Sequence, residues 1–262
     1  MLDSFSLIST LFALIFLAII GWSMSLKNDN VTIVDSLWGL FFLLASLTNL
    51  VLASDPSARA YLTLSLVAIW SIRLSSHLHI RNHGQAEDHR YQAIRKRNEP
   101  NFRTKSLYLV FMLQAVLAWF ISLPLQVAIH SKTPVNAIDY LGLALWLIGI
   151  TIQTTADRQL KSFKQKPENK SRVLSTGIWR YSRHPNYFGE ACIWFAYGLI
   201  ALGAGTCWTF ISPIFMTYLL IKVTGAKLLE SDITQRRPDY QQYIACTSQF
   251  FPWWPKGPNS KA

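Results

Sequence analysis

The chain has 262 residues, of which 51% are hydrophobic, 13% aromatic and only 15% charged. Mean hydropathy is +0.22, whereas soluble domains average about 25% charged residues, so disorder, collagen, a coiled coil and an ordinary soluble enzyme are excluded. The formal charge of +11 comes from 25 Lys+Arg against 14 Asp+Glu. In a soluble protein that excess would mark a nucleic-acid patch. In a membrane protein, basic residues gather in the loops of one side.

Windows of about 20 mostly apolar residues, the length a span requires, fall at 5–26, 31–53, 60–80, 107–129, 137–155, 187–202 and 208–223. The first lacks a basic leading region and an Ala-x-Ala site, so it reads as a retained helix rather than a signal peptide. Of the 25 Lys+Arg, 21 fall after the first, third, fifth and seventh windows. Arg59 and Lys132 lie on the other side, and Arg73 and Lys222 within spans. This bias predicts an amino terminus outside and a carboxyl tail in the cytoplasm. The net charge is then mostly topology, and nucleic acid drops out as a partner. Cys192, Cys207 and Cys246 are too widely spaced for a disulfide framework or a zinc site. The six histidines show no metal-ligand spacing. The expected architecture is one all-α integral membrane domain over 1–262, with seven transmembrane helices.

Ionisable groups inside spans are costly and usually face a partner or a wet cavity. Asp35 opens the second window, and Arg73 and His77 close the third, four residues apart on one helix face. The three are expected to meet at one depth, lining a site or forming a structural ion pair. The loop from Arg81 to Tyr91 (RNHGQAEDHRY) is dense in hydrogen-bonding groups. It suits an anion or a ribose, or phospholipid headgroups.

The richest stretch runs from Asp157 to Glu190. Arg158, Lys161, Lys164, Lys166, Lys170, Arg172, Arg180 and Arg183 face only Asp157 and Glu168. That excess suits a ligand with several phosphates. Gly177 to Glu190 then reads GIWRYSRHPNYFGE. Pro185 suits the first turn of a helix, and Asn186 and Glu190, four apart, share a face fit to clamp an amide or a ribose. The structural alternative pairs Glu190 with Arg183 or Lys222. Tyr181, Arg183, His184 and Tyr187 belong to the same candidate binding segment, His184 as a base or a hydrogen-bond donor. Glu230 either reaches a ligand or pairs with Arg236. The tail closes on Phe250-Phe251-Pro252-Trp253-Trp254-Pro255, a cluster suited to the membrane interface. There is no GxGxxG after a strand and no Walker sequence, so a dinucleotide would not sit in a Rossmann pocket.

Gly177 to Glu190, with Asp157 upstream and Pro238-Asp239-Tyr240 in the tail, resembles the carboxyl-terminal region of the steroid 5-alpha-reductase family. Val34-Asp35-Ser36-Leu37-Trp38-Gly39 and the Arg81–Tyr91 loop look like its bacterial branch, integral membrane proteins carrying a domain of unknown function. The resemblance implies NADPH bound mainly by residues 137–262 and a steroid or similar enone lipid in a cavity mainly of residues 1–130. It implies cofactor contacts for Asp157, Lys164, Arg172, Asn186 and Glu190, with Gln153 at a position where relatives carry asparagine. Trp194 would wall the pocket, and Trp38 and Trp70 would border the substrate with Asp35.

The implied activity is that of a 3-oxo-5-alpha-steroid 4-dehydrogenase. A hydride passes to the β-carbon of a conjugated carbonyl while a donor polarises the oxygen. Animal members carry a Gln-Glu pair on the second helix and a tyrosine three residues before an arginine on the third. Here those positions offer only Asp35, and Trp70 before Arg73. Asp35, Arg73, His77 and Tyr91 are therefore the catalytic candidates. The expected setting is a monomer in a bacterial inner membrane, with the cofactor side towards the cytoplasm.

Two other classes compete. Arg183-His184-Pro185 with Tyr187 and Glu190 also resembles membrane methyltransferases of the isoprenylcysteine type. Their S-adenosylmethionine carries no phosphates, which leaves the basic loop without a role. A transporter would use Asp35, Arg73 and His77 as a relay, but no paired, interrupted helices suggest inverted repeats.

Overall fold

The computed structural model describes residues 2–223, 230, 233, 237 and 239–257. Pro238 and Arg236, and with Arg236 its expected pairing with Glu230, lie outside these residues. The helices are α1 (Ser4–Asn28), α2 (Ile33–Leu52), α3 (Ala58–Asn82), α4 (His89–Asn98), α5 (Phe102–Ile121), α6 (Leu123–His130), α7 (Ala137–Lys164), α8 (Pro185–Gly203), α9 (Trp208–Lys222) and α10 (Tyr240–Cys246). No strand occurs among the described residues. Four of the helices, α1, α2, α5 and α7, are long and apolar enough to cross a membrane, and α9 is a shorter apolar helix. In lipid every backbone polar group must be satisfied within the protein, which helices do by themselves.

Local chemistry sets the ends. Asp3 caps α1 by accepting from the Ser6 N–H at 2.7 Å, and Ser57 caps α3 through Ala60. The window at 107–129 is interrupted at Ser122, where Pro124 starts a new first turn and separates α6 from α5. The window at 137–155 runs on to Lys164, so Asp157 sits within a helix rather than at its end. Pro185 opens α8 as its sequence position requires.

The described chain divides into two compact units, Met1–Asn136 with Ile200–Thr209, and Ala137–Leu199 with Phe210–Ala262. In the first, α2 and α3 approach closely at Gly39, where a Cβ would stand 2.9 Å from the Ser71 carbonyl oxygen. The Ser71 hydroxyl donates to the Gly39 carbonyl at 2.8 Å. Trp70, fully buried, meets Phe42 edge-on at 5.6 Å, and Phe42 meets half-buried Trp38 at 5.1 Å.

Arg59 is no loop cation. It lies in the first turn of α3, fully buried. It donates to the carbonyls of Thr133 and Pro134 at 2.8 Å, to Gly203 at 3.0 Å and to the Ser131 hydroxyl at 3.0 Å. It also donates to the Thr133 hydroxyl, so a buried charge is met by five backbone or hydroxyl oxygens.

In the second unit α7 and α8 cross where glycine faces glycine. A Cβ on Gly149 would lie 2.7 Å from the Gly189 carbonyl oxygen, and one on Gly189 2.7 Å from that of Gly149. The tail straps the segment before α8. Arg183 N–H donates to Ser248 O, and Trp253 N–H to Tyr181 O, each at 2.9 Å. The Tyr243 hydroxyl donates to the carbonyls of Trp179 and Ser182.

Candidate active site and cofactor cluster

The first unit gathers an acid, a phenol and two guanidinium groups. Asp35, in the first turn of α2, is one helical turn from Gly39, so the close approach there turns it towards the end of α3. The Tyr91 hydroxyl of α4 donates to Asp35 Oδ1 at 2.6 Å. Arg90 Nη2 donates to Asp35 Oδ2 at 2.8 Å, and Arg81 Nη2 stands 3.8 Å from that oxygen. Gln114 of α5 donates to the Tyr91 oxygen at 3.2 Å. Tyr91 is 7% exposed. Burial, then the Asp35 charge beside it, pushes its phenol well above its usual titration range.

The Arg81–Tyr91 loop forms a brace. Asp88 caps α4, accepting from Arg90 N–H at 3.0 Å and Arg90 Nε at 2.9 Å, and its own N–H donates to the Thr32 hydroxyl at 2.9 Å. Burial works against the Asp88 charge, and the Arg90 hydrogen bonds outweigh it, lowering its pKa. Glu87 takes the Val31 N–H at 3.0 Å and Arg95 at 2.8 and 2.9 Å. Arg95 continues to Asp29 at 3.1 Å. The turn between α1 and α2, just ahead of Asp35, is thus stitched to α4 and the residues that lead into it.

Arg73 and His77 are half-buried on α3. No hydrogen bond or ion pair joins them to Asp35 among the described residues, so the expected meeting of the three gives way to Asp35, Tyr91, Arg90 and Arg81. The physical reason is reach: Arg90 and Tyr91, carried back by the brace, occupy both carboxylate oxygens.

The second unit holds a two-rung ladder between α7 and α8. One turn from the Gly149–Gly189 crossing, Gln153 Nε2 donates to Glu190 Oε2. One turn further, Asn186 Nδ2 approaches Asp157 Oδ1 at 3.5 Å. Trp194 Nε1, one turn along α8, donates to Glu190 Oε1 at 3.0 Å. Gln153 and Glu190 are each 4% exposed and Asp157 9%, while Trp194 is fully buried. Gln153 Oε1 is buried with no hydrogen-bond partner among the described residues.

Beside the ladder, Glu230 Oε1 receives His184 Nε2 at 2.9 Å and lies 3.1 Å from Arg183 Nε, and its Oε2 receives Gln249 at 3.2 Å. Tyr187 stacks on His184 at 5.5 Å, and Tyr181 meets Trp254 edge-on at 5.5 Å. Arg183 is 8% exposed, yet its Nη1 has no hydrogen-bond partner among the described residues. Lys164 and Arg172 are exposed. The Arg172 carbonyl accepts from Arg237 at 2.6 Å. Sequence reasoning missed Arg90, Gln114 and Gln249. Arg90 stood in the quoted loop, and Gln114 was legible as one of two amides, with Gln126, in the apolar window at 107–129.

An all-helical protein with membrane-length helices, a buried acid–phenol pair and a separate buried carboxylate–amide ladder belongs among integral membrane proteins. A family model described as "Protein of unknown function (DUF1295)" matches residues 21–247, and the chain belongs to that family. An uncharacterized protein of Schizosaccharomyces pombe is 26% identical, over 88% of this chain and 75% of its own length. The mouse 3-oxo-5-alpha-steroid 4-dehydrogenase 1 is 25% identical over 120 residues, 45% of this chain and 41% of its own length. The bovine protein of that name is 36% identical over 58 residues, 22% of this chain and 23% of its own length. The matches thus span less than half of those dehydrogenases. No solved structure matches.

Proposed function

We propose that this protein is an NADPH-dependent membrane reductase of conjugated enones, of the 3-oxo-5-alpha-steroid 4-dehydrogenase type, with a steroid or similar lipid as substrate. The observation that carries the reading is the Asp35–Tyr91 pair. A phenol held at 2.6 Å on a carboxylate restores, from α4, the acid that the resemblance puts on the third helix and that Trp70 cannot supply. The similarity to proteins named 3-oxo-5-alpha-steroid 4-dehydrogenase 1 supports it.

The second unit fits the cofactor. Gln153 Oε1 is a buried acceptor awaiting a donor, as a carboxamide N–H₂ would be, and Arg183 Nη1 is a buried donor awaiting an anion. An unpaired buried polar atom costs about 1–3 kcal/mol, and a ligand completing both recovers that cost on binding. Gln153, Asp157, Asn186 and Glu190 would hold the nicotinamide and ribose, with Trp194 fixing the Glu190 carboxylate. Arg183, steadied by Glu230, would meet phosphate, helped by Lys164 and Arg172, while Tyr181, His184 and Tyr187 shape the segment that carries it. When bound, the reduced nicotinamide supplies a hydride; the protein binds, orients and excludes water.

Tyr91 polarises the substrate carbonyl and gives its proton to the developing oxyanion, as a general acid. Asp35 orients the phenol, and Arg90 balances the Asp35 charge. Trp38 and Trp70 would border the ring system. Arg73 and His77 lie on the same helix as Arg81 and would line the approach. We further propose that α3, α8 and α9 cross the bilayer as well, giving seven spans with the amino terminus outside and the charged loops in the cytoplasm, in a bacterial inner membrane. The protein would work as a monomer of one domain.

The experiment is a titration of the detergent-purified protein with NADPH and, separately, S-adenosylmethionine, following thermal stability. A ligand bound only by the folded state raises apparent stability by mass action. Stabilisation by NADPH alone is expected. Stabilisation by S-adenosylmethionine alone would overturn the reading in favour of a methyltransferase.

A further inference from the structure

Gln114 stands in the apolar run LYLVFMLQAVLAWFI, where a polar side chain is costly unless it is partnered. Its Nε2 donates to the Tyr91 oxygen at 3.2 Å. A π turn at Leu107–Met112 ends two residues before it. Such a turn inserts a residue into the helix and so moves every later side chain by about 100° around the axis. Single π turns inside α-helices occur frequently at functional sites. Without this one, the Gln114 amide would face a different neighbour.

The Tyr91 phenol is thereby held from two sides with opposite polarity. It donates to Asp35 Oδ1 at 2.6 Å and accepts from Gln114. The charged groups facing it are Asp35 from α2, Arg90 beside it on α4 with its guanidinium 5.3 Å from the ring centroid and, through Asp35, Arg81 from α3. From α5 the phenol receives a hydrogen bond from this neutral amide.

We propose that Gln114 is a positioning residue for proton delivery: it pins the Tyr91 oxygen while the O–H turns from Asp35 to the substrate carbonyl, and it supports the phenolate left behind. The assignment rests on the enone-reductase reading. In the step, the hydride pair that the reduced cofactor would supply leaves its C–H bond and forms the new C–H bond at the β-carbon. The C=C π pair becomes a π bond between the α-carbon and the carbonyl carbon, and the C=O π pair passes to the oxygen. That oxygen takes the Tyr91 proton: one O–H bond breaks and another forms. The phenolate regains a proton from water, and the enol loses its O–H proton to water as the α-carbon takes one, which yields the saturated ketone. Asp35, already bound to Arg90, opposes the phenolate by its charge. The amide N–H of Gln114 favours it. The Tyr91 phenol, raised by burial and by Asp35, needs that support to give its proton away.

Two substitutions test this in the full-length protein in detergent or nanodiscs, with NADPH and an enone substrate. Gln114→Met keeps length and apolar packing but donates nothing. Its kcat should fall about 100-fold, the lower end of the range for one oriented donor, with KM and melting temperature near wild type. Gln114→Glu accepts rather than donates at neutral pH and should fall further. As pH drops, the introduced carboxyl becomes protonated and donates again. Its activity relative to wild type at each pH should therefore recover towards acid, while Gln114→Met stays flat.

A structural role would lower both variants at every pH together with their melting temperatures. That result, or wild-type kcat in Gln114→Met, or no acid recovery in Gln114→Glu, would overturn the assignment while leaving the reductase standing. A wild-type protein that reduces no enone with NADPH would remove the reductase reading, and this assignment with it.

Discussion

The two buried polar clusters are built on opposite principles. Around Asp35 each carboxylate oxygen has a donor and the Tyr91 hydroxyl both gives and receives a hydrogen bond. Around Gln153 and Arg183, buried atoms remain without hydrogen-bond partners among the described residues. A satisfied network fixes geometry and holds a proton in place. An unsatisfied one stores a cost that a ligand can remove. On the reading proposed above, the first unit carries a preset acid and the second a cradle for the cofactor.

The sharpest break is at the acid. Tyr91→Phe removes the proton and leaves the ring, so kcat for enone reduction should fall about 10²- to 10⁴-fold while NADPH binding stays unchanged. Steady-state kinetics beside a thermal-shift titration check both halves. Loss of NADPH binding in this variant would blur the distinction between the units.

Next in size, Glu190→Ala removes the acceptor of both Gln153 and Trp194. NADPH affinity should drop at least about 100-fold, as loss of a buried hydrogen-bonded charge costs several kcal/mol. Unchanged affinity would take Glu190 out of the cofactor site.

Smaller is the effect of parting the helices that carry the ladder. Gly149→Val places carbon against the Gly189 carbonyl oxygen and the Ile193 N–H, at 2.7 and 2.9 Å from the Cβ alone. A loss of about 1–3 kcal/mol in stability is expected, as for other overpacked contacts. NADPH should weaken with it, since the Gln153–Glu190 rung lies one turn away.

Then comes pH. The folded Tyr91 phenol lies well above its ordinary value of 10.0. The stability from its buried neutral form is therefore present below about pH 10 and lost as pH rises through the folded value. The kcat profile should show no basic fall from Tyr91 below about pH 10. A basic limb near neutrality that disappears in Tyr91→Phe would contradict the burial argument. Last, Lys164→Gln with Arg172→Gln, both exposed, should weaken NADPH less than about tenfold, and the difference should vanish in high salt.

Much of the second cluster was legible beforehand because helix spacing carries it. Asn186 and Glu190, four apart, do share a face, and Gln153 and Asp157 repeat that spacing on the facing helix. The start of α8 at Pro185 was equally visible. In the first cluster Asp35 and Tyr91 were legible one by one, but their pairing, and Arg90 and Gln114 beside them, were not. Asp35 and Tyr91 are 56 residues apart and meet because Glu87, Asp88 and Arg95 fold the loop back onto the turn at 29–32. Spacing along one helix pointed to Arg73 and His77, and such long-range stitching has no periodic signature.

Arg59 shows the same limit. Counted by charge it was a loop residue, but five oxygens from residues 131–134 and Gly203 make it a buried clasp. Gln114 depends on a π turn, which no apolar pattern announces.

The most direct test of the central claim is to follow the transferred hydrogen. The purified protein would be incubated with NADPH deuterated at the nicotinamide C4 and with a 3-oxo-4-ene steroid, and the product examined by mass spectrometry and NMR. The account predicts a saturated ketone carrying one deuterium at the β-carbon, formed by wild type and nearly absent with Tyr91→Phe. Turnover of the substrate with no deuterium in the product, or no turnover despite bound NADPH across a panel of enone lipids, would contradict it.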